Sequence, residues 1–106
     1  MRVQWRPVAI ADVQSTLRYI KYKLKNPSAA KTLNARIFNS ISLLQENPYM
    51  GALLSAKFEL DESVRYRYLI VSKQIIFYEV EENIIEIIRV LDARTDYLNV
   101  LFTQGN

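Results

Sequence analysis

The sequence has no cysteine and no histidine. The absence of cysteine excludes disulfides and Cys-based metal or redox chemistry. Without histidine the chain lacks the commonest general base and the usual ligand of zinc sites. No apolar run approaches the roughly 20 residues that cross a bilayer, and the N-terminal residues lack the apolar segment of a signal peptide. We therefore expect a cytosolic protein that needs no membrane, metal or cofactor.

Glycine is also scarce, with two residues in 106, so a glycine-rich phosphate-binding loop is absent. The length predicts a single domain over residues 1–106 that can bury a core. Half of the residues are hydrophobic and 24% are charged, which excludes a disordered chain.

Positive charge is concentrated in the N-terminal part of the chain. Residues 1–45 contain eight Lys or Arg and one acid, Asp12, whereas residues 46–106 contain six Lys or Arg and ten acids. A basic segment suggests an acidic partner, either a polypeptide or a nucleic acid. A well-solvated helical surface has the same composition.

Two helices are predicted in this N-terminal part, because apolar residues recur there at intervals of three and four. In the first helix they are Ile10, Val13, Leu17, Ile20 and Leu24, and in the second they are Ala30, Leu33, Ile37, Ile41 and Leu44. Asn26-Pro27 separates the two helices, since Asn caps a helix and Pro is accepted at its first position. So short a link predicts an antiparallel helix hairpin.

The segment 64–97, VRYRYLIVSKQIIFYEVEENIIEIIRVLDARTDY, is rich in β-branched and aromatic residues and has no Gly or Pro. Polar breaks at 72–74 and 81–83 divide it into three strands, which predicts an antiparallel meander. A left-handed turn residue is expected at Asn83.

Shorter elements complete the prediction. We expect a strand in residues 1–5, a packed connection in 48–63 with an extended piece near 57–60, a short helix in 94–102 and a loose tail at 104–106. The predicted fold is α+β: an N-terminal strand, an antiparallel helix hairpin packed on a C-terminal antiparallel meander, and a short C-terminal helix.

Four arginines and a tyrosine are the candidates for chemistry on phosphates. Because side chains alternate along a strand, Arg65 and Arg67 should share one face of the first meander strand. Arg89 should share a face with its neighbours two residues away on the third strand, and Arg94 and Tyr97 follow where that strand ends. Arginine offers fixed positive charge in a planar fork that suits a phosphate. Each arginine could instead pair with a neighbouring carboxylate.

Four segments taken in order resemble the RelE/ParE superfamily, the toxins of type II toxin–antitoxin systems, often called plasmid stabilisation proteins. The segments are AIADVQSTLRYI, NPSAAKTLNARIFNSISLLQENPYMG, YRYLIVSKQIIFYEVEENIIEIIRVL and ARTDYLNVLF. The resemblance implies a helix hairpin on an antiparallel sheet, in agreement with the pattern of the residues. It also implies a cognate acidic antitoxin that wraps the toxin and neutralises it.

The superfamily has two kinds of target, since RelE-like members cut messenger RNA on the ribosome and ParE-like members inhibit DNA gyrase. The RelE-like pattern implies catalytic roles for the first-strand basic residues, here Arg65 and Arg67, and for a C-terminal basic residue and tyrosine, matched loosely by Arg94 and Tyr97.

Two positions depart from the RelE-like pattern. Ile75 stands where an arginine is common early in the second meander strand, and Asp92 stands where a histidine is common. The phrase IIFYEV…IIEIIRVL is closer to ParE-like members.

The resemblance leaves three hypotheses open. The first is a ParE-like toxin that inhibits growth by binding DNA gyrase. The second is a ribosome-dependent, metal-independent endoribonuclease in which arginines stabilise the transition state and a side chain moves protons. Its candidate catalytic residues are Arg65, Arg67, Arg89, Arg94 and Tyr97. The third is a non-toxic binding member of the same fold.

Overall fold

The computed structural model describes residues 1–103, so the predicted loose tail at 104–106 lies outside the described residues. The elements in chain order are β1 (Arg2–Trp5), α1 (Pro7–Arg18), a π-helix (Tyr19–Lys23), α2 (Pro27–Glu46), β2 (Ala52–Leu53), a 3-10 turn (Leu54–Ala56), β3 (Arg67–Val71), β4 (Gln74–Glu81), β5 (Ile84–Asp92) and α3 (Tyr97–Thr103). The predicted α+β fold is confirmed.

The sheet has five strands in the order β1-β5-β4-β3-β2. Strands β3, β4 and β5 form the predicted antiparallel meander, joined by two-residue turns. Strand β1 pairs in parallel with β5, so the complete sheet is mixed. The first residue of each turn has a positive φ, 58° at Ser72 and 52° at Glu82. Glu82, and not Asn83 as predicted, therefore takes the left-handed conformation.

Two predicted boundaries were wrong near the edge strand. The first meander strand begins at Arg67 and not at Val64. The short strand β2 pairs only with its first two residues, Arg67 and Tyr68. The extended piece predicted near 57–60 lies instead at Ala52–Leu53. The chain then turns at Leu54, which is 1% exposed, and inserts that side chain under the sheet.

The sheet is buried on both faces. On the helix-covered face, α1 and α2 pack against the meander; the buried residues there are Ala9, Val13, Leu33, Ile37, Ile41, Leu44, Val71, Ile76, Tyr78, Ile85, Ile87 and Val90. On the opposite face, Leu54, Ile75, Phe77, Ile88 and Leu91 are covered by the 54–66 connection and α3.

The predicted inner face of the second helix is confirmed, since all five of the apolar residues predicted to form it are buried. The first seam is correct in its middle, where Val13 is buried, but Ile10 and Leu24 are 43% and 55% exposed. The π-helix explains the loss of phase at the C-terminal end. Its wider turn, closed by the Leu24 amide donating to the Tyr19 carbonyl at 3.0 Å, rotates later residues away from the seam.

Candidate functional site

Arg67 is the first residue of β3 and holds the loop that follows α2. Its Nη1 donates to the carbonyl oxygens of Gly51 at 2.7 Å and Tyr49 at 3.3 Å, and the guanidinium lies 4.9 Å from the centre of the Tyr49 ring. The Tyr78 hydroxyl accepts from the Gly51 amide and donates to the Pro48 carbonyl, both at 2.9 Å. Arg67 is thus part of the contacts that fix residues 48–51.

Close packing explains why residue 51 is a glycine. A Cβ at Gly51 would lie 2.6 Å from the Tyr78 hydroxyl oxygen and 2.7 Å from the Tyr68 carbonyl oxygen, too close for any other residue. Burial raises the pKa of Tyr78, so its phenol stays protonated and can donate.

Arg65 precedes β3 and is exposed. Within residues 1–103 the structure gives its side chain no hydrogen-bond or ion-pair partner. Arg65 and Arg67 therefore differ in their surroundings, although the sequence predicted them as neighbours on one strand face.

Arg89 forms a bidentate ion pair with Asp12 of α1. Its Nε and Nη2 lie 2.8 Å from the two carboxylate oxygens, and these hydrogen bonds raise the pKa of Arg89. Asp12 also accepts the Val90 amide at 3.0 Å, beyond the point where β1 ends. The pair ties α1 to the open edge of β5.

The predicted strand face of Arg89 was wrong because β5 contains a bulge. The β4–β5 register shifts between Phe77 and Tyr78. As a result Ile87 lies in the helix-side core and Leu91 lies in the opposite core, so these two neighbours do not define one face.

Arg94 and Tyr97 lie on opposite sides of the end of β5. Arg94 is exposed and donates from Nε and Nη2 to Asp92, at 3.0 and 2.8 Å; these hydrogen bonds hold the pKa of Asp92 at about 2. Tyr97 begins α3, and its ring centre lies 5.3 Å from that of Phe77 and 6.2 Å from that of Phe58. Its ring is part of the opposite core.

The register of the strands separates these candidates. Arg67 lies opposite Tyr78, and Asp92, the partner of Arg94, lies opposite Gln74. Four residues of strand separate the two rows, or about 13 Å at the usual rise. The register thus separates Arg67 from Arg94, while Arg89 is held by Asp12 and the Tyr97 ring packs in the opposite core.

The positive charge that the sequence concentrates in residues 1–45 forms a cationic surface at the end of the helix hairpin, which was not among the predicted site residues. We call residues 18–25 the hairpin tip; its cations are Arg18, Lys21, Lys23 and Lys25, and its exposed apolar residues are Tyr19, Tyr22 and Leu24. The absence of any acid between Asp12 and Glu46 could have indicated this surface.

A cleft of about 590 Å³ adjoins the hairpin tip, between α2, the π-helix, the β3–β4 turn and the end of β5. We call it the basic cleft because Arg36, Lys73 and Arg94 line it. Arg36 is held by a 3.0 Å hydrogen bond to the Ser72 hydroxyl. Gln74 also lines the cleft and is 6% exposed, and its Oε1 has no hydrogen-bond partner among the described residues.

Negative charge gathers at the other end of the meander. A second cleft, at the β4–β5 turn, is lined by Glu79, Glu81, Glu82 and Glu86. Strand β4 runs from Gln74 to Glu81, so the basic cleft and this acidic cluster are about 24 Å apart. The molecule therefore presents opposite charges at its two ends.

A third surface is an apolar depression of about 340 Å³ between α1, α2 and β1. We call it the hairpin groove; Trp5, Ile10, Val13, Leu17 and Phe38 line it. Ile10 and Phe38 are 43% and 49% exposed, and the Trp5 and Phe38 ring centres are 5.9 Å apart.

No group of three or more His, Cys, Asp or Glu side chains in residues 1–103 is placed to hold a metal ion. In the same range, no helix has the length and apolar character that crossing a membrane requires.

Comparison with known proteins defines the family. The family model of the ParE toxin of the type II toxin–antitoxin system, parDE, matches residues 3–97. The chain therefore belongs to the ParE toxin family, and the resemblance seen in the sequence is confirmed.

A solved structure, described as the chromosomal ParDE toxin–antitoxin system from P. aeruginosa, contains a similar chain. The TM-score is 0.69 and the identity 21%, and the match covers 87% of this chain and 95% of that one. At 21% identity, this similarity shows that the two chains share a fold. No curated protein matches the sequence.

Proposed function

We propose that this ParE toxin inhibits growth in the cytoplasm by binding DNA gyrase, without chemistry of its own. The observation that carries the proposal is the separation of the candidate catalytic residues. Arg67, Arg89 and Arg94 each engage a protein group, and Tyr97 packs in the core. Phosphoryl cleavage needs several such groups held within hydrogen-bond reach of one phosphate, whereas a binding inhibitor needs only a complementary surface.

We also propose that an acidic antitoxin covers the hairpin groove. Exposed apolar surface lined by Trp and Phe is typical of a protein interface. The exposed Lys31 lies on α2, and the basic N-terminal part of the chain favours an acidic partner. An amphipathic helix of the antitoxin would bury its apolar face in such a groove.

The experiment measures DNA supercoiling by purified gyrase with increasing amounts of toxin, with and without the antitoxin encoded beside it. We expect loss of supercoiling that the antitoxin reverses. In parallel, translating ribosomes with a defined messenger RNA receive the same protein, and we expect no cleavage. Codon-positioned cleavage without an effect on gyrase would establish the RelE-like alternative, and inactivity in both assays would indicate a non-toxic member.

Arg65→Ala and Tyr97→Phe are the variants that separate binding from catalysis. Arg65 has no side-chain partner among residues 1–103 to lose, and Tyr97→Phe keeps the ring in the core, so both should fold as the parent does. If the protein is a nuclease, Tyr97→Phe should abolish cleavage; if it binds gyrase, the variant should inhibit like the parent. Arg67→Ala is less informative because it also releases residues 49–51.

A further inference from the structure

The cations of the hairpin tip are unpaired. Arg18, Lys21, Lys23 and Lys25 have no carboxylate within ion-pair distance among residues 1–103, where the ion pairs are Arg6–Glu86, Arg89–Asp12 and Arg94–Asp92. Lys31 and Arg36 likewise lack a carboxylate partner there, whereas the charge of Lys73 helps to lower the pKa of Asp92, which also lines the basic cleft. Cations clustered in this way repel one another, so a bound polyanion stabilises them. Binding also releases the counterions that surround the polyanion.

Exposed aromatic rings lie among these cations. Tyr19 and Tyr22 are 55% and 66% exposed, and the Lys21 ammonium lies 5.2 Å from the Tyr22 ring centre. Neither ring belongs to the apolar seam of the first helix, so both face solvent and not the core. Rings presented beside cations are the surface on which unpaired nucleic-acid bases stack.

The floor of the basic cleft supplies a hydrogen-bonding group without a partner. Gln74 is almost fully buried, and its Oε1 is unpaired among the described residues, an arrangement that is unfavourable in a folded protein. A carboxamide offers one acceptor and one donor side by side, which matches the edge of a base such as adenine. Because Oε1 is itself buried, the side chain would have to turn toward the cleft for a base to reach it.

We propose that the hairpin tip and the basic cleft bind a single strand of DNA, with bases on Tyr19 and Tyr22 and phosphates on the tip lysines, Arg36 and Lys73. The choice of DNA rests on the proposed gyrase target, at which the toxin meets DNA. An acidic polypeptide would neutralise the same cations but would leave the two rings without a stacking partner. Duplex DNA would satisfy the lysines, but its bases are stacked on one another and would leave Tyr19 and Tyr22 without a stacking partner.

The test measures fluorescence anisotropy of a labelled single-stranded DNA of mixed sequence, titrated with the full chain in the absence of gyrase. With about five phosphate contacts, the affinity should fall roughly 100-fold between 50 and 200 mM salt. Lys21→Gln/Lys23→Gln should weaken binding about tenfold and lower the salt slope by about 1.4. Tyr22→Ala should weaken binding about tenfold with the salt slope unchanged.

The matched control is Arg2→Gln/Lys57→Gln, which removes two exposed cations outside the surface and leaves the same net charge as the lysine pair. It should bind like the parent. Equal weakening by both double variants would mean that binding depends only on the net charge of the protein. That result would overturn the proposed binding site. Circular dichroism melting of each variant establishes that the fold is intact.

Further arms identify the ligand. Tighter binding of the same sequence as duplex or as RNA would overturn the assignment to single-stranded DNA. Displacement of the oligonucleotide by poly-glutamate of equal charge would assign the surface to an acidic protein. Absence of binding at 50 mM salt would also end the proposal, and gyrase inhibition that persists in that case would leave the proposed function standing.

Discussion

The two ends of the helix hairpin differ in burial, charge pairing and backbone conformation. At the base, where α1 begins and α2 ends, Ala9 and Leu44 are fully buried, and Asp12 of α1 pairs with Arg89 of the sheet. At the tip, apolar side chains are exposed, Lys25 has a positive φ of 53°, and Gln74 in the adjoining cleft has an unpaired Oε1. Each feature of the base stabilises the fold, whereas each of these tip features costs free energy.

This difference divides the hairpin into a base that stabilises the fold and a tip to which we assign the proposed binding. Local choices that conflict with a stable fold are expected where a protein binds its partners. The base should therefore respond strongly to substitution in unfolding experiments, and the tip should respond weakly or gain stability. The following predictions test this contrast, from the largest expected effect to the smallest.

The same Leu-to-Ala substitution at the two ends of the hairpin should change the free energy of unfolding by very different amounts. Leu44→Ala should lower the free energy of unfolding by about 2 to 5 kcal/mol, because Leu44 is fully buried and leaves a cavity. Leu24→Ala should lower it by less than about 1 kcal/mol, because Leu24 is 55% exposed. Urea denaturation of both variants makes the comparison, and similar losses would contradict the division of the hairpin.

Breaking the ion pair at the base should have the next largest effect. Asp12→Ala removes both acceptors of Arg89 and the acceptor of the Val90 amide, and neither group is fully open to water. Hydrogen bonds to charged groups contribute about 1.5 to 3 kcal/mol each, but relaxation toward solvent should limit the loss to about 2 to 3 kcal/mol. Thermal melting with Arg6→Ala as the control, at the more exposed Arg6–Glu86 pair, should show a smaller change.

The base could be predicted from sequence because its signals are local and agree with one another. The spacing of Leu33, Ile37 and Ile41 fixes the inner face of α2, and Asn26-Pro27 fixes its start. The meander follows from apolar runs separated by polar pairs. These patterns depend only on helical or strand periodicity, which the observed fold obeys in these elements.

The tip and the candidate site could not be predicted in this way. A π-helix has no clear sequence pattern, so helical spacing wrongly assigned Leu24 to the core. The bulge in β5 changed the surroundings of Arg89, and its partner Asp12 lies 77 residues away in sequence. Single-residue shifts in register reverse side-chain direction, and pairings between distant elements are decided by packing. The roles of Arg65, Arg67, Arg89, Arg94 and Tyr97 therefore stay a prediction.

A substitution at Gln74, in the cleft beside the tip, should increase stability and not decrease it. Gln74→Leu should raise the free energy of unfolding by about 1 to 2 kcal/mol, because it replaces a buried carboxamide that lacks a partner for Oε1 by an apolar group of similar size. The measurement is urea denaturation, repeated with the single-stranded DNA of the binding assay, which should bind the variant more weakly. Destabilisation by Gln74→Leu would mean that the amide stabilises the fold, and the cleft would lose its evidence for a ligand.

The smallest effect is expected at the Asp92–Arg94 pair on the rim of the basic cleft. Hydrogen bonds from Arg94 lower the pKa of Asp92 from 3.8 to about 2 in the folded state. Because the folded pKa lies below the unfolded one, the ionised carboxylate stabilises the fold above about pH 4, and this contribution is lost as the pH falls toward 2. Asn at position 92 can still accept the Arg94 amide but carries no charge. Asp92→Asn should therefore be slightly less stable than the parent at pH 6. The loss should be smaller than for any variant above, because the pair is exposed. At pH 2 the free energies of unfolding of the two proteins should become equal. A difference that persists at pH 2 would assign the effect to packing, and the exposed rim would then resemble the base of the hairpin.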